Sequence, residues 1–232
     1  MSLAHKACII TGAGRGIGRA IAQRLTGAGA NVLVAARSAV ELEATVALCG
    51  NGGRCVAQPT NMARPEDVDA LIARCTEEFG GLDVLINNAG VAPLSTIEEM
   101  NDAMFTDLVA VNIHSVFFAC RAAWPLLKQS KGTIVNISSL AAVDPFLGFA
   151  AYGATKAWVN TFTRGLADEG RPLGIKVFAL GPGAVETQAL RTPFPDFPAE
   201  QALQPDDVAA MVEWLLDERC QYASGQTIYI RK

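Results

Sequence analysis

Seven short apolar runs recur along the 232-residue chain, and segments with a helical period separate most of them. The runs are KACIIT (6–11), NVLVAA (31–36), RCVAQP (54–59), LDVLIN (82–87), GTIVNIS (132–138), IKVFAL (175–180) and QTIYI (226–230). Helix periods fall at 16–28, 39–50, 65–79, 101–129, 152–169 and 206–217. The runs are almost continuously hydrophobic, as strands must be when helices cover both faces of their sheet. Strict β/α alternation demands crossover connections, and these build parallel, doubly wound sheets. The expected fold is therefore α/β: a doubly wound, mainly parallel seven-stranded sheet with helices on both faces. Half of the residues are apolar and 18% are charged, enough for a sizeable core. No repeat, low-complexity tract or linker interrupts the pattern, so residues 1–232 are expected to form a single domain. The loop-rich stretch at about 187–205, with Pro193, Pro195, Pro198 and Pro205, reads as an insertion.

Several function classes are disfavoured at this level. The formal net charge is −4, the pI is about 5.2, and no basic tract interleaves with aromatics, so no nucleic-acid partner is expected. The apolar stretch 115–127 is broken by Arg121 and Pro125 and is too short to span a bilayer, so no membrane partner is expected. The amino terminus runs into a strand pattern without a signal-peptide layout. The six cysteines, Cys8, Cys49, Cys55, Cys75, Cys120 and Cys220, include no CxxC pair and read as buried or incidental thiols. A reducing, cytoplasmic setting follows. The histidines, His5 and His114, have no partner at ligand spacing, so no metal is expected.

The first run ends in TGAGRGIG, 11–18. A strand, a glycine-rich turn and a helix start together make an anion site, because glycines admit a pyrophosphate and the helix offers free N–H groups. Gly12, Gly16 and Gly18 carry the spacing, and Ile17 occupies the last glycine position of a strict GxGxxG. NNAG, with Asn88, Ala89 and Gly90, follows the fourth run, where its asparagines could fix the strand edge, tie the glycine loop or touch a cofactor. The fifth run ends at Ser138 and Ser139. Tyr152 follows Ser139 by thirteen positions, in AAYGATKAW, with Lys156 one helical turn beyond it. Tyr152 and Lys156 alone could be a surface pair or a phenol tuned for proton transfer.

In order and spacing this set resembles the short-chain dehydrogenase/reductase superfamily, over essentially the whole chain. The match comprises TGxxxGxG at 11–18, NNAG at 87–90, Asn112, Ser139, Tyr152, Lys156 and GPGAVET at 181–187. The resemblance implies a Rossmann-like domain and hydride transfer between a nicotinamide and a carbonyl or secondary alcohol. It implies that Tyr152 moves the proton, that Ser139 orients the substrate oxygen, and that Asn112 holds a relay water. Lys156 would bind the nicotinamide ribose and favour the phenolate, since a free tyrosine ionises only near pH 10. The cofactor is implied to lie along Gly12, Arg15, Gly16, Ile17, Gly18, Arg37, Asn61, Asn88, Ala89, Gly90, Tyr152, Lys156, Pro182, Gly183 and Thr187. Asn61 stands where the family often has an aspartate at the adenine. The last strand lacks the frequent Asp-Gly-Gly after it, at an edge often used between subunits. A homodimer or homotetramer is implied.

NADP(H) is the expected cofactor, with NAD(H) the alternative. The second run ends VAARS, so Ala36 stands where an NAD-selective chain places a carboxylate, and Arg37 follows. Arg15 would be a second cation at a 2′-phosphate, while Glu41 and Glu43 come a turn or more later, leaving no carboxylate to repel it. The resemblance places substrate specificity in 187–203, with Phe194 and Phe197, and in the segment after Ser139, with Leu140, Val143, Phe146, Leu147 and Phe149; together they suggest an apolar-walled pocket. Arg191 reads as a solvated loop arginine. The alternatives are a 3-oxoacyl thioester reductase, whose acyl carrier could meet Lys128, Lys131 and Arg171 at the site mouth, and a non-catalytic cofactor-binding regulator. The complete set Ser139, Tyr152 and Lys156 favours an enzyme.

Overall fold

The alternating pattern resolves into seven parallel strands in the order β3-β2-β1-β4-β5-β6-β7 in the computed structural model, which describes residues 3–232. The strands are β1 Ala7–Thr11, β2 Asn31–Ala36, β3 Cys55–Pro59, β4 Val84–Asn87, β5 Thr133–Ile137, β6 Lys176–Pro182 and β7 Thr227–Ile230. Every pairing is parallel. Alternate residues of each strand feed opposite cores. Cys8, Ile10, Val32, Val34, Val135 and Phe178 lie on one face. Ile9, Leu33, Leu85, Ile134 and Val177 lie on the other. Both faces are covered, which is why the runs read as continuously apolar.

The helices are α1 Gly16–Gly27, α2 Ala39–Leu48, α3 Pro65–Phe79, α4 Asp102–Val109, α5 Ser115–Ser130, α6 Ala150–Gly170, α7 Gln188–Arg191 and α8 Pro205–Leu215. Their starts have local causes. Ser38 caps α2 by accepting from Glu41 N at 3.3 Å, and Asn101 caps α4 by accepting from Met104 N at 2.9 Å. α3 opens on a proline with Glu66 and Asp67 in its first turn, favourable at the positive end of the helix dipole. The helix expected over 101–129 is continuous but contains a π turn, Ala110–His114, between α4 and α5. Such turns widen a helix locally and often mark functional positions.

Joined, Asp102–Ser130 spans 29 residues and holds an 18-residue stretch of mean hydropathy 1.5, long and apolar enough by composition to cross a membrane. That is longer than the 115–127 run suggested. Here one face, with Val116, Ala119, Cys120 and Ala123, packs against the sheet in one core with residues of α3 and α6, while Phe105 and Phe117 stay exposed.

A buried polar chain crosses that layer. Asn87 Nδ2 donates to Asn136 Oδ1 at 2.8 Å, and Asn136 Nδ2 donates to Thr163 Oγ1 at 2.8 Å. Asn87 and Asn136 are register partners in β4 and β5. Strand order reverses between β1 and β4, and doubly wound sheets take their ligands beyond the carboxyl ends of the strands at such a switch point.

Candidate active site

Two sheet-end turns meet at the crevice. After β1 the glycine loop leaves with Gly12 at φ 65°. A Cβ on Gly12 would lie 2.8 Å from Ala89 Cα, and one on Gly18 would lie 2.5 Å from both Asn88 Nδ2 and Gly12 O. Only glycine allows this approach. Asn88 Nδ2 donates to the carbonyls of Thr11 at 2.9 Å and Gly12 at 3.1 Å. Thr11 Oγ1 accepts from the backbone N–H groups of Asn88 and Ala89, both at 3.0 Å. The two asparagines thus divide the tasks between them: Asn87 ties β4 to β5, and Asn88 ties NNAG to the glycine loop. Thr11, quoted within the motif without a task of its own, proves to be the other half of that tie.

α1 begins at this loop with no side-chain cap and no acidic residue in its first turn. Its free N–H groups and positive dipole end fit a dinucleotide phosphate. The opposite side of the loop is closed. Thr45 Oγ1 donates toward the carbonyls of Ala13 at 2.9 Å and Gly14 at 3.2 Å, and Arg19 bonds Gly14 O and, at 3.0 Å, Thr45 Oγ1.

The expectation that no carboxylate stands near the two arginines is overturned. Ser38 starts α2 so that its first turn points back at the loop. Glu41 Oε2 would be 3.0 Å from a Cβ at Gly14, and Glu41 Oε1 lies 3.4 Å from Arg15 Nη1. Arg15 also donates to Gln188 Oε1 at 2.7 Å. Arg37 is exposed and has no ion pair among the described residues.

The reaction group gathers at the ends of β5 and α6. Ser139 Oγ accepts from Ala141 N at 3.1 Å, capping a short 3-10 turn, and its hydroxyl favours the ionised Tyr152 phenol. Lys156 is buried; its Nζ donates to Ile137 O at 2.8 Å and lies 5.9 Å from the Tyr152 ring centre. No carboxylate pairs with it among the described residues. A Cβ at Gly90 would lie 3.4 Å from Asn112 Oδ1 and 3.5 Å from Lys156 Nζ, so NNAG, the π turn and α6 converge. Asn112 is fully buried; its Oδ1 accepts from Val91 N at 2.8 Å, and its Nδ2 donates to Val91 O at 2.9 Å and Thr155 Oγ1 at 3.1 Å. Both amide hydrogens of Asn112 are therefore engaged within the protein.

Burial raises the Tyr152 pKa above its ordinary value, and the Ser139 hydrogen bond offsets part of the rise. The lowering expected from Lys156 does not dominate here, because removing a phenolate from water disfavours it. Burial pushes the Lys156 ammonium down to about 8 from 10.5. The unfolded chain binds more protons at this group between those values, so the penalty is full below pH 8 and fades toward 10.5. Lys156→Met is expected to stabilise the cofactor-free protein by up to about 3 kcal/mol below pH 8. Denaturant titrations across pH check this: the margin should shrink as pH rises, and a constant margin would remove buried charge as its cause.

An aromatic wall stands over Tyr152. Phe149 lies 5.1 Å from its ring, Phe146 lies 4.6 Å from Phe149, and Phe194 of the insertion lies 5.8 Å from Phe146. Phe197 stays out of this wall; its carbonyl accepts from Arg191 Nη1 at 2.6 Å. Arg191 is not a solvated side chain. It also bonds Glu186 through two nitrogens, at 2.7 and 2.5 Å, and Pro195 O at 2.9 Å, clasping the insertion on itself. Thr187 caps α7, and its methyl carbon would be 3.2 Å from a Cβ on Gly16, so the insertion starts against the glycine loop.

Other expected contacts sit differently. Pro182 is the last residue of β6, paired with Ile230, and Gly183 N donates to Ile230 O at 2.8 Å, so this segment is tied to β7. Asn61 Oδ1 accepts from Ala63 N at 3.1 Å, a local turn that engages the oxygen expected at the adenine. Lys128, Lys131 and Arg171 are not at the site mouth. They precede β5 and β6 and lie at the opposite, amino-terminal edge of the parallel sheet, where Arg171 pairs with Asp168 at 3.1 Å.

Comparison with known proteins shows the family to which the chain belongs. The short chain dehydrogenase family profile matches residues 6–196. A 3beta-hydroxysteroid dehydrogenase 1 from Eggerthella lenta is 34% identical, covering 98% of this chain and 93% of the relative. The crystal structure of a 3-ketoacyl-(acyl-carrier-protein) reductase from Brucella melitensis, complexed with NADH, superposes with TM-score 0.92 at 32% identity, covering 99% of this chain and 98% of the other. A short chain dehydrogenase from Burkholderia cenocepacia J2315, in complex with NADP, gives 0.91 at 32% identity, with 99% and 98% coverage.

Proposed function

We propose, because this chain belongs to the short chain dehydrogenase family and is an NAD(P)-dependent dehydrogenase/reductase, that its reaction interconverts an apolar ketone and its secondary alcohol with NADP(H). The observation that carries the reading is the gathering of Ser139, Tyr152 and Lys156 beneath an aromatic wall, at the mouth of a glycine-loop crevice.

When bound, a nicotinamide would supply or accept the hydride. Everything else is work for the chain's own groups. Tyr152 holds the proton that the carbonyl oxygen takes up, or removes it in the alcohol-oxidising direction. Ser139 donates to the same oxygen; the Ala141 N–H on its Oγ directs its proton outward. Lys156, anchored on Ile137 O, turns its remaining N–H groups toward ribose hydroxyls and favours phenolate when charged. Asn112 is a positioning residue that fixes the Gly90–Val91 turn beside Lys156. Gly12, Gly16, Ile17 and Gly18 would cradle the pyrophosphate, with Thr187 beside the loop and Arg15 left for the 2′-phosphate.

Apolar substrates are favoured because Phe146, Phe149 and Phe194 line the approach, while Arg191 is engaged within the insertion and leaves no free cation there for a carboxylate. A panel of ketones, steroids, secondary alcohols and 3-oxoacyl thioesters, followed by NADPH absorbance, tests this. Activity confined to highly charged acids would sink it. Likeness to the ketoacyl reductase keeps thioesters in the panel, although the basic residues offered to an acyl carrier lie at the far edge. Arg191→Ala is expected to loosen the insertion and lower kcat/KM about tenfold, or about 1.4 kcal/mol, mainly through KM; an unchanged KM would show that the clasp does not shape the site.

We also propose a homodimer or homotetramer in a reducing, cytoplasmic setting. Exposed Phe105 and Phe117, with Trp158 stacked on Phe162 at 4.6 Å, form an aromatic face on α4, α5 and α6 suited to a second copy. Light scattering that gives a monomer mass would refute it.

A further inference from the structure

We propose that Cys49 and Cys55 form a hydroperoxide-sensitive site that closes reversibly into an intramolecular disulfide. Their sulfurs lie 3.2 Å apart, in contact, at the end of α2 and the start of β3. Both residues are half-buried, so a small oxidant can reach them, whereas Cys8, Cys75, Cys120 and Cys220 are buried apart from this pair.

The turn between them fixes the approach. In C-G-N-G-G-R-C, 49–55, a Cβ on Gly52 would lie 2.6 Å from the carbonyl oxygens of both Thr26 and Gly27, and one on Gly53 would lie 2.0 Å from Ala30 O. The turn is thus pressed onto the end of α1 by backbone contact that no side chain could permit. A second observation points the same way. Thr26 is fully buried, and its hydroxyl has no hydrogen-bond partner at normal geometry. The groups it favours electrostatically are the two sulfurs, where it lowers the pKa of each thiol. A buried hydroxyl without an oxygen or nitrogen partner is uncommon, and a thiolate is a fitting acceptor. Because the sulfurs touch, the Cys55 S–H can bond a Cys49 thiolate, and this draws the Cys49 pKa down while that of Cys55 is raised. One sulfur is therefore the attacking thiolate and the other the resolving thiol.

The chemistry balances. The Cys49 thiolate attacks a peroxide oxygen; the O–O bond breaks, hydroxide leaves, and Cys49 becomes a sulfenic acid. The Cys55 sulfur attacks the Cys49 sulfur; the S–O bond breaks, the S–S bond forms, and the departing oxygen leaves as water with the Cys55 proton. The pair loses two electrons, and the peroxide is reduced to two waters. A dithiol reductant reverses the disulfide.

The test treats the full chain with stoichiometric hydrogen peroxide, alkylates remaining thiols with iodoacetamide after denaturation, and maps peptides by mass spectrometry. Two of the six thiols should be lost, as one peptide pair linking Cys49 and Cys55, and dithiothreitol should restore both. In Cys55→Ser, dimedone should label Cys49; in Cys49→Ser, it should label nothing at Cys55. Retention of six alkylatable thiols, a link through any other cysteine, or equal dimedone labelling of both variants would overturn the proposal. The wild-type peptide map decides the matter even where a serine variant folds poorly.

Discussion

Tyr152→Phe is expected to keep the fold and cofactor binding and to lose about 10²- to 10⁴-fold in turnover, the usual range for removing a general acid–base. The phenylalanine ring retains the packing against Phe149, 5.1 Å away, and only the hydroxyl beside Ser139 disappears. No protein group that replaces its proton is evident at the carbonyl oxygen: Ser139 is a far weaker acid, and Lys156 is anchored at Ile137 O. Rates with a good ketone, set beside a cofactor affinity from fluorescence titration, separate lost chemistry from lost binding. Turnover of Tyr152→Phe at the wild-type rate would remove Tyr152 from the reaction. The raised phenol pKa adds a pH signature. Alcohol oxidation, which needs the phenolate, should rise with pH, while carbonyl reduction, which needs the phenol, should fall at high pH.

Arg37→Ala is expected to weaken NADPH by about 10- to 150-fold while leaving NADH nearly unchanged, since a hydrogen bond to a charged group is worth roughly 1.5–3 kcal/mol. Arg37 is exposed at the end of β2, with no ion pair among the described residues, and can meet a 2′-phosphate. Arg15 is less free, because Glu41 and Gln188 hold it. Glu41→Gln should therefore strengthen NADPH, by releasing Arg15 and removing a repelling charge. Comparison of kcat/KM for the two cofactors in all three proteins is the measurement. Better use of NADH by the wild type would reverse the assignment and make Glu41 the ribose acceptor in place of the missing strand-end carboxylate.

The features legible in the sequence were those set by local spacing. The strand runs, the glycine loop after β1, and Ser139 with Tyr152 and Lys156 depend on period and motif, and the fold brings them together. What escaped depends on how distant elements meet. Glu41 lies only a turn beyond Arg37 in sequence, yet its return to the glycine loop follows from the path of α2. Arg191 looked like a solvated loop residue because its partners are carbonyls and Glu186, brought round by the folding of the insertion. The rise in the Tyr152 pKa is a burial effect that no spacing reveals. Lys131 and Arg171 could have been placed correctly, since residues just before a strand of a parallel sheet lie at the edge away from the ligand crevice.

The polar chain Asn87–Asn136–Thr163 bears on how portable this site is. A one-residue slip of β4 against β5 would separate the paired amides and leave them in an apolar layer without partners. Register is thereby fixed, and with it the height of Ser139 relative to Gly90 one strand away. Anyone grafting the Ser-Tyr-Lys group onto another parallel sheet would need to carry this amide ruler along. Without it the three side chains could all be present while the serine sat a residue too high or too low for the role proposed for it.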